Sequence, residues 1–145
     1  SAISAALSAK QLETAAAVNR ILSELEAANR KAAEAQAELL GYRIDMLKPT
    51  SGNLCLFEPN LDMICRRELV NAGMKRAGGV CAVFHGKDGG YDYIIGSEKA
   101  DLRALAKEIN ASLNGKGGGS KTMIQGSLKA SRTQIEEYFL SRDFI

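Results

Sequence analysis

The stretch Leu113-Asn-Gly-Lys-Gly-Gly-Gly-Ser-Lys-Thr-Met-Ile-Gln-Gly-Ser-Leu128 decides how the chain is read. It is a glycine-rich loop with two lysines, running from the end of a helix into a strand. No acidic residue stands between Glu108 and Glu136, so Lys116, Lys121, Lys129 and Arg132 are locally unopposed. Backbone without Cβ atoms approaches a ligand closely, and beside positive charge it suits phosphate or an RNA backbone. The strand that follows, about Thr122 to Lys129, alternates. Ile124 and Leu128 would face the core with Gly126 between them, and Lys121, Gln125, Ser127 and Lys129 would face the other side. A glycine on the inner face implies that another element packs closely there. The loop is not a P-loop, because it lacks the Gly-x-x-x-x-Gly-Lys-Ser/Thr spacing and follows a helix. From spacing alone it is either a phosphate-facing loop or a flexible connector.

Outward from this stretch the pattern is mixed α/β, over residues 50–145. Asn53–Glu58 reads as a strand. Asn60 caps a helix through about Arg76, with Leu61, Ile64, Cys65, Leu69 and Ala72 inward. Gly78-Gly79 stops it, Val80–His85 is a strand, and Lys87-Asp88-Gly89-Gly90 is a hairpin turn into Tyr91–Gly96. Ser97 caps the next helix, in which Leu102, Leu105, Ala106, Ile109 and Leu113 form a stripe. Ser131-Arg-Thr-Gln134 matches a capping box and opens the last helix, with Ile135, Tyr138 and Phe139 apolar. The expected class is α/β (α+β), a small mixed sheet covered by helices in the order β-α-β-β-α-β-α.

Residues 1–49 are different. From Ala5 to Leu47 there is no proline and one glycine, and good helix formers dominate. Apolar residues recur at Val18, Ile21, Leu25, Ala28, Ala32, Ala35, Leu39, Tyr42 and Met46, alternating three and four as in a coiled-coil seam. Pro49 and Gly52 end it. A helix of about 43 residues is about 65 Å long at 1.5 Å per residue, longer than the small domain that follows. The seam therefore needs a partner, either the same helix of a second subunit or a neighbouring domain. Dimerisation through Val18, Ile21, Leu25, Ala28, Ala32 and Leu39 is the favoured reading.

At 145 residues and net charge +2, the chain has about one domain's length and no global charge that would by itself demand nucleic acid. Any basic surface must be local. No apolar run is long enough for a membrane span, and the first residues lack the basic and apolar regions of a signal peptide. The chain opens on Ser1 without an initiator methionine and is read as part of something longer. Cys55, Cys65 and Cys81 are read as ordinary buried thiols, which fits a cytoplasmic protein without disulfides.

Arg66, Arg67, Lys75, Arg76 and Lys87 form a second basic group, read first as a solvated helix face. Tyr91 and Tyr93 share one strand face and, with His85, would suit base stacking, although core packing is the commoner outcome. Catalytic signals are absent. His85 has no identifiable nucleophile beside it, and Asp88, Asp92 and Asp101 sit at turns and helix starts.

Ile95-Gly-Ser-Glu98, the helix Asp101–Asn114 and the run Gly115–Leu128 together resemble the DHH-associated domain. That domain recurs at the C-terminus of alanyl-tRNA synthetases, of AlaX-type alanyl-tRNA editing proteins and of DHH phosphoesterases. Gly115, Gly117, Gly118, Gly119, Gln125 and Gly126 carry the match, which covers about Gly52 to Tyr138. Ser127 departs from it, standing where many relatives have glycine. Leu7-Ser-Ala-Lys10 and the helix after it are similar to the region that follows the editing domain in the synthetase and AlaX families.

The resemblance implies a non-catalytic tRNA-binding and dimerisation module of a protein that clears mischarged tRNA(Ala). The parent would be a zinc-dependent aminoacyl-tRNA deacylase or an alanine–tRNA ligase. The zinc motif of the editing domain is not in this sequence, so the metal is expected elsewhere in the parent. The partners implied are tRNA(Ala) and a second copy of the chain. Loop amides and Lys116, Gly117, Gly118, Gly119, Lys121, Gln125, Gly126, Lys129 and Arg132 would meet the RNA. Two other readings stay open: the substrate-binding half of a DHH-type phosphoesterase acting on nucleotides or short oligonucleotides, and a pure oligomerisation module.

Overall fold

A computed structural model describes residues 2–144. The chain forms two compact units, one up to Ala37 and one from Glu38. The division falls inside helix α1 (Ala2–Asp45). In the first unit Val18, Ile21 and Leu25 are 49%, 58% and 54% exposed in the single chain, so their stripe has no cover there. In the second unit the last turns of α1 bury Leu40, with Leu39, Ile44 and Leu47 packed beside it. Tyr42 and Met46, placed on the seam by the sequence, are exposed. Leu40, Ile44 and Leu47 form their own stripe at spacings of four and three, and that more aliphatic stripe takes the sheet.

The second unit continues as β1 (Leu54–Phe57), α2 (Met63–Gly73), β2 (Cys81–Lys87), β3 (Gly90–Gly96), α3 (Leu102–Ser112), β4 (Gly115–Gly119), β5 (Met123–Leu128) and α4 (Arg132–Leu140). The strands form one five-stranded sheet in the order β1-β2-β3-β5-β4. β1 and β2 are parallel, and the other pairs are antiparallel. The α+β class holds, with one strand more than expected.

The extra strand is the glycine run itself. Gly115–Gly119 is not a loop but the edge strand β4, paired residue for residue with β5. Glycine has a poor strand propensity, so close approach explains the pairing. A Cβ on Gly126 would lie 2.0 Å from the Lys116 carbonyl oxygen and 2.8 Å from Cζ of Tyr93. Gly117, at φ +146°, would put one 2.3 Å from the Gln125 carbonyl oxygen. The close packing expected at Gly126 is therefore present, and β4 and the Tyr93 ring supply it. Ser120-Lys121-Thr122 turns the chain from β4 into β5.

Each sheet face has its own core. On one face Phe84, Tyr93, Ile95, Ile124 and Leu128 pack under Leu102, Leu105, Ile109, Ile135 and Phe139 of α3 and α4. On the other, Cys81, Val83 and Ile94 pack under Leu61, Cys65, Leu69 and Val70 around α2. Tyr91 and Tyr93 lie in the first core, and His85 points to the second face. The three aromatic groups therefore share no stacking surface.

Helix α2 starts later than expected and is turned differently. Its cap is Asp62, whose carboxylate accepts from the Cys65 N–H at 2.8 Å, and not Asn60. Cys65, Arg66, Leu69, Val70 and Gly73 face inward, and Ile64 is 72% exposed. Gly73 fixes this orientation, because any Cβ there would come 2.4 Å from Sγ of Cys81. Asp101, not Ser97, caps α3. Ser97 closes the turn before it by accepting from the Ala100 N–H. The Ser131–Gln134 capping box of α4 is present.

All three cysteines are free. Burial pushes the thiols of Cys55 and Cys81 up to about 12, with the charge of Glu136 adding to it at Cys55. Reactivity follows the thiolate. In the native protein at pH 8, Cys55 and Cys81 should therefore stay unmodified by a disulfide reagent that labels them fully in guanidinium chloride. Rapid native labelling of either would contradict the packing described above.

Candidate nucleic-acid interface

Helix α2 covers β2 and β3 but leaves the outer part of its sheet face, over β5 and β4, open. Pairing register places the side chains there. His85, Asp92, Ser127 and Lys116 are successive cross-strand neighbours in one row, and Val83, Ile94, Gln125 and Gly118 form the next. Between α2 and this open surface lies a cleft of about 420 Å³. Met63 and Arg66 line it from the helix side, and Asp92, Ile94, Lys116, Gln125 and Ser127 from the sheet. Gly117 and Gly126 expose backbone along it.

One member of each basic group read in the sequence reaches this cleft, Arg66 from α2 and Lys116 from β4, so Arg66 is not part of a solvated helix face. Arg67, exposed on α2, donates from Nη2 to Oε1 of Gln125 at 2.6 Å. Arg66 is buried at 6% exposure and donates from Nη1 to the Leu61 carbonyl at 2.7 Å. Sequence periodicity misses Arg66 because a helix phased on Ile64 points it at solvent. The signal available was the stripe ending at Gly73.

Of the residues assigned to RNA contact, Lys116, Gly117, Gln125 and Gly126 come together at the cleft. Gly118 and Gly119 continue the same edge strand, and Gly118 has open space around its Cα. The other three cations lie apart. Lys121 sits in the β4–β5 turn, where its carbonyl accepts from the Leu102 N–H. Lys129 follows the far end of β5, its N–H bonded to the Asn114 carbonyl. Arg132, at the start of α4, is paired with Glu136 at 2.7 Å and stands 4.3 Å over the Phe57 ring. That charge is already committed to neighbours.

Tyr93 ties the edge strand to the core. Its hydroxyl donates to Oδ1 of Asn110 at 3.1 Å, and Nδ2 of Asn110 donates to the Gly117 carbonyl at 3.1 Å. The glycine strand is thus held from α3 as well as from β5. Among the described residues, no group of three or more His, Cys, Asp or Glu side chains is arranged to hold a metal ion. No described helix is long and apolar enough to cross a membrane.

No family model matches the sequence, and no curated protein matches it. Among solved structures, the chain is similar to the C-Ala domain of alanyl-tRNA synthetase from Aquifex aeolicus. The identity is 19% and the TM-score 0.51, over 64% of this chain and 94% of that one. It is also similar to RecJ of Thermus thermophilus, solved in complex with Mn2+, at 14% identity and a TM-score of 0.53. That likeness covers 84% of this chain and 19% of RecJ, so the chain spans about a fifth of that protein. At these identities the likeness establishes a shared fold.

Proposed function

We propose that the chain is a non-catalytic tRNA-binding and dimerisation module, belonging to an alanyl-tRNA synthetase or to an alanyl-tRNA editing protein that clears mischarged tRNA(Ala). The supporting observation is the near-complete overlap with the C-Ala domain, 94% of which this chain covers, together with the exposed Lys116 on β4 and Lys121 in the β4–β5 turn. RNA would lie against the open sheet face and the β4–β5 turn, with Lys116 and Lys121 meeting phosphates. Contacts of this kind position an RNA without reading its sequence. The partner is tRNA(Ala), the zinc belongs to a separate editing domain of the parent, and the setting is the cytoplasm.

The test is binding of labelled tRNA(Ala) at two salt concentrations. Each lost phosphate contact should lower the slope of log K against log salt by about one unit. Lys116→Ala with Lys121→Ala should therefore weaken binding and flatten the salt dependence by about two units, with melting unchanged because both side chains are exposed. Unaltered affinity would remove the glycine strand from the interface.

Dimerisation is proposed through the uncovered stripe of α1 at Val18, Ile21, Leu25, Ala28 and Ala32; Leu39, read from the sequence as part of the same seam, packs instead against the core around Leu40. Ile21→Glu with Leu25→Glu should convert a dimer to a monomer in sedimentation, while the sheet unit keeps its melting point. A wild-type chain that sediments as a monomer would end this part of the proposal. A second reading, the substrate-binding half of a DHH-type phosphoesterase, is favoured by the RecJ likeness reaching further along this chain, 84% against 64%. Competition by a short oligonucleotide that tRNA cannot displace would select it.

A further inference from the structure

We infer that the cleft between α2 and the β5–β4 surface is a binding site for a single phosphate group, with Arg66 as its buried cation. Arg66 is 6% exposed and lines the cleft. A guanidinium carries five N–H donors and cannot shed its charge. One donor, Nη1, is spent on the Leu61 carbonyl. Among the described residues Arg66 enters no ion pair. Buried charges are otherwise paired, since desolvating one without a counter-charge costs several kcal/mol. The carboxylate at hand, Asp92, is exposed on the neighbouring strand and forms no ion pair with it.

The surroundings suit a compact anion. Lys116 and Arg66 line the cleft from opposite sides, and Arg67 sits at the Gln125 wall. Against them stands Asp92, which leaves the cleft net positive. Ser127 supplies a hydroxyl and Gln125 an amide. Gly117 and Gly126 present backbone along the cleft, and Ile94 and Met63 provide an apolar wall. A volume of about 420 Å³ exceeds a bare phosphate and accommodates the sugar or base attached to one, within the size range of ligand clefts. Planar guanidinium donors match phosphate oxygens in pairs. The phosphate is either a diester of a bound strand or a free phosphomonoester. The site does not depend on the tRNA reading.

The probe is inorganic phosphate at low millimolar concentration, compared with sodium chloride of equal ionic strength and read as a shift in Tm. Wild type should gain a saturable, phosphate-specific shift, as a ligand of the folded state requires. Arg66→Met should weaken apparent phosphate affinity about tenfold or more, the loss expected for hydrogen bonds to a charged group. Lys116→Ala, on an exposed edge position that leaves the core intact, should weaken it several-fold and keeps the test valid if Arg66→Met folds poorly. A shift that persists undiminished in Lys116→Ala and in any folded Arg66→Met would be the general effect of an excluded salt and would overturn the site. So would the absence of any phosphate-specific shift in wild type.

Competition then assigns the source. Displacement of phosphate by adenosine 5′-monophosphate alone identifies a monoester. Displacement by an oligonucleotide without terminal phosphates identifies a backbone diester. A site that takes phosphate while labelled tRNA fails to bind would leave this inference standing and remove the tRNA reading.

Discussion

Gly126→Ala should cost roughly 3 kcal/mol of stability, the upper range for forcing extra volume into a packed site, and should detach β4 from the sheet. The added methyl would sit 2.0 Å from the Lys116 carbonyl oxygen, 2.7 Å from Cα of Gly117 and 2.8 Å from Cζ of Tyr93. Two of those atoms belong to backbone, so no rotamer change relieves the contact. The strand must move, and moving it breaks the Asn110–Gly117 bond and exposes the Tyr93 ring. Amide hydrogen exchange across residues 115–119 should accelerate more than in β2 or β3. Binding that depends on Lys116 should fall with it. Gly118→Ala is the control, because nothing lies within 4 Å of a Cβ there. Its stability should stay within about 0.5 kcal/mol of wild type, as surface changes usually do. Equal melting of the two variants would refute the pairing of β4 with β5.

Phe139→Ala is expected to be more damaging, at about 3–5 kcal/mol, or a loss in Tm on the order of 10–20 °C. Phe139 is fully buried, and its ring lies 5.5 Å from that of Phe84, 5.3 Å from Tyr138 and 5.7 Å from Phe144. It joins α4 to the inner strand β2 and to the C-terminal segment. Its carbonyl also accepts from Nδ2 of Asn53 at 2.7 Å. Asn53 donates as well to the Arg142 carbonyl and accepts from the Val80 N–H, so it binds the end of α4 to the start of two strands. Emptying the Phe139 position leaves a cavity on this junction that neither rigid strand can fill. A melting point within a few degrees of wild type would show that the core of α3 and α4 is not packed as described.

Much of this architecture is written in periodicity and local chemistry. The stripe Leu102, Leu105, Ala106, Ile109 marks α3. The Ser131–Gln134 box marks the start of α4. The Asp88-Gly89 turn and the alternation around Gly126 mark the hairpins and the inner face of β5. What escapes such reading depends on a second element. No propensity argues for a strand made of Gly115, Gly117, Gly118 and Gly119, because pairing with β5 creates it. Arg66 looks like surface until Gly73 is seen pressed against Cys81, an approach that turns α2 and carries the arginine inward. The lysines and Arg132 are adjacent in a list of charges yet are spread over the edge strand β4, the β4–β5 turn, the far end of β5 and the start of α4. Chain order holds no record of that separation.

The rim of the sheet has one more consequence. An outermost strand normally invites another strand to dock on its unpaired amides, and proteins guard such rims with charge or awkward shape. β4 offers an incoming strand almost no side chains to grip, and cross-strand side-chain pairs supply much of a sheet's cohesion. Its lone side chain, Lys116, would be repelled by the same lysine of a second molecule. The rim is therefore a poor template for growth of the sheet into a fibre, while its backbone remains within reach of a small or thin anionic visitor. Solubility and access to ligand are served by the same absence of side chains.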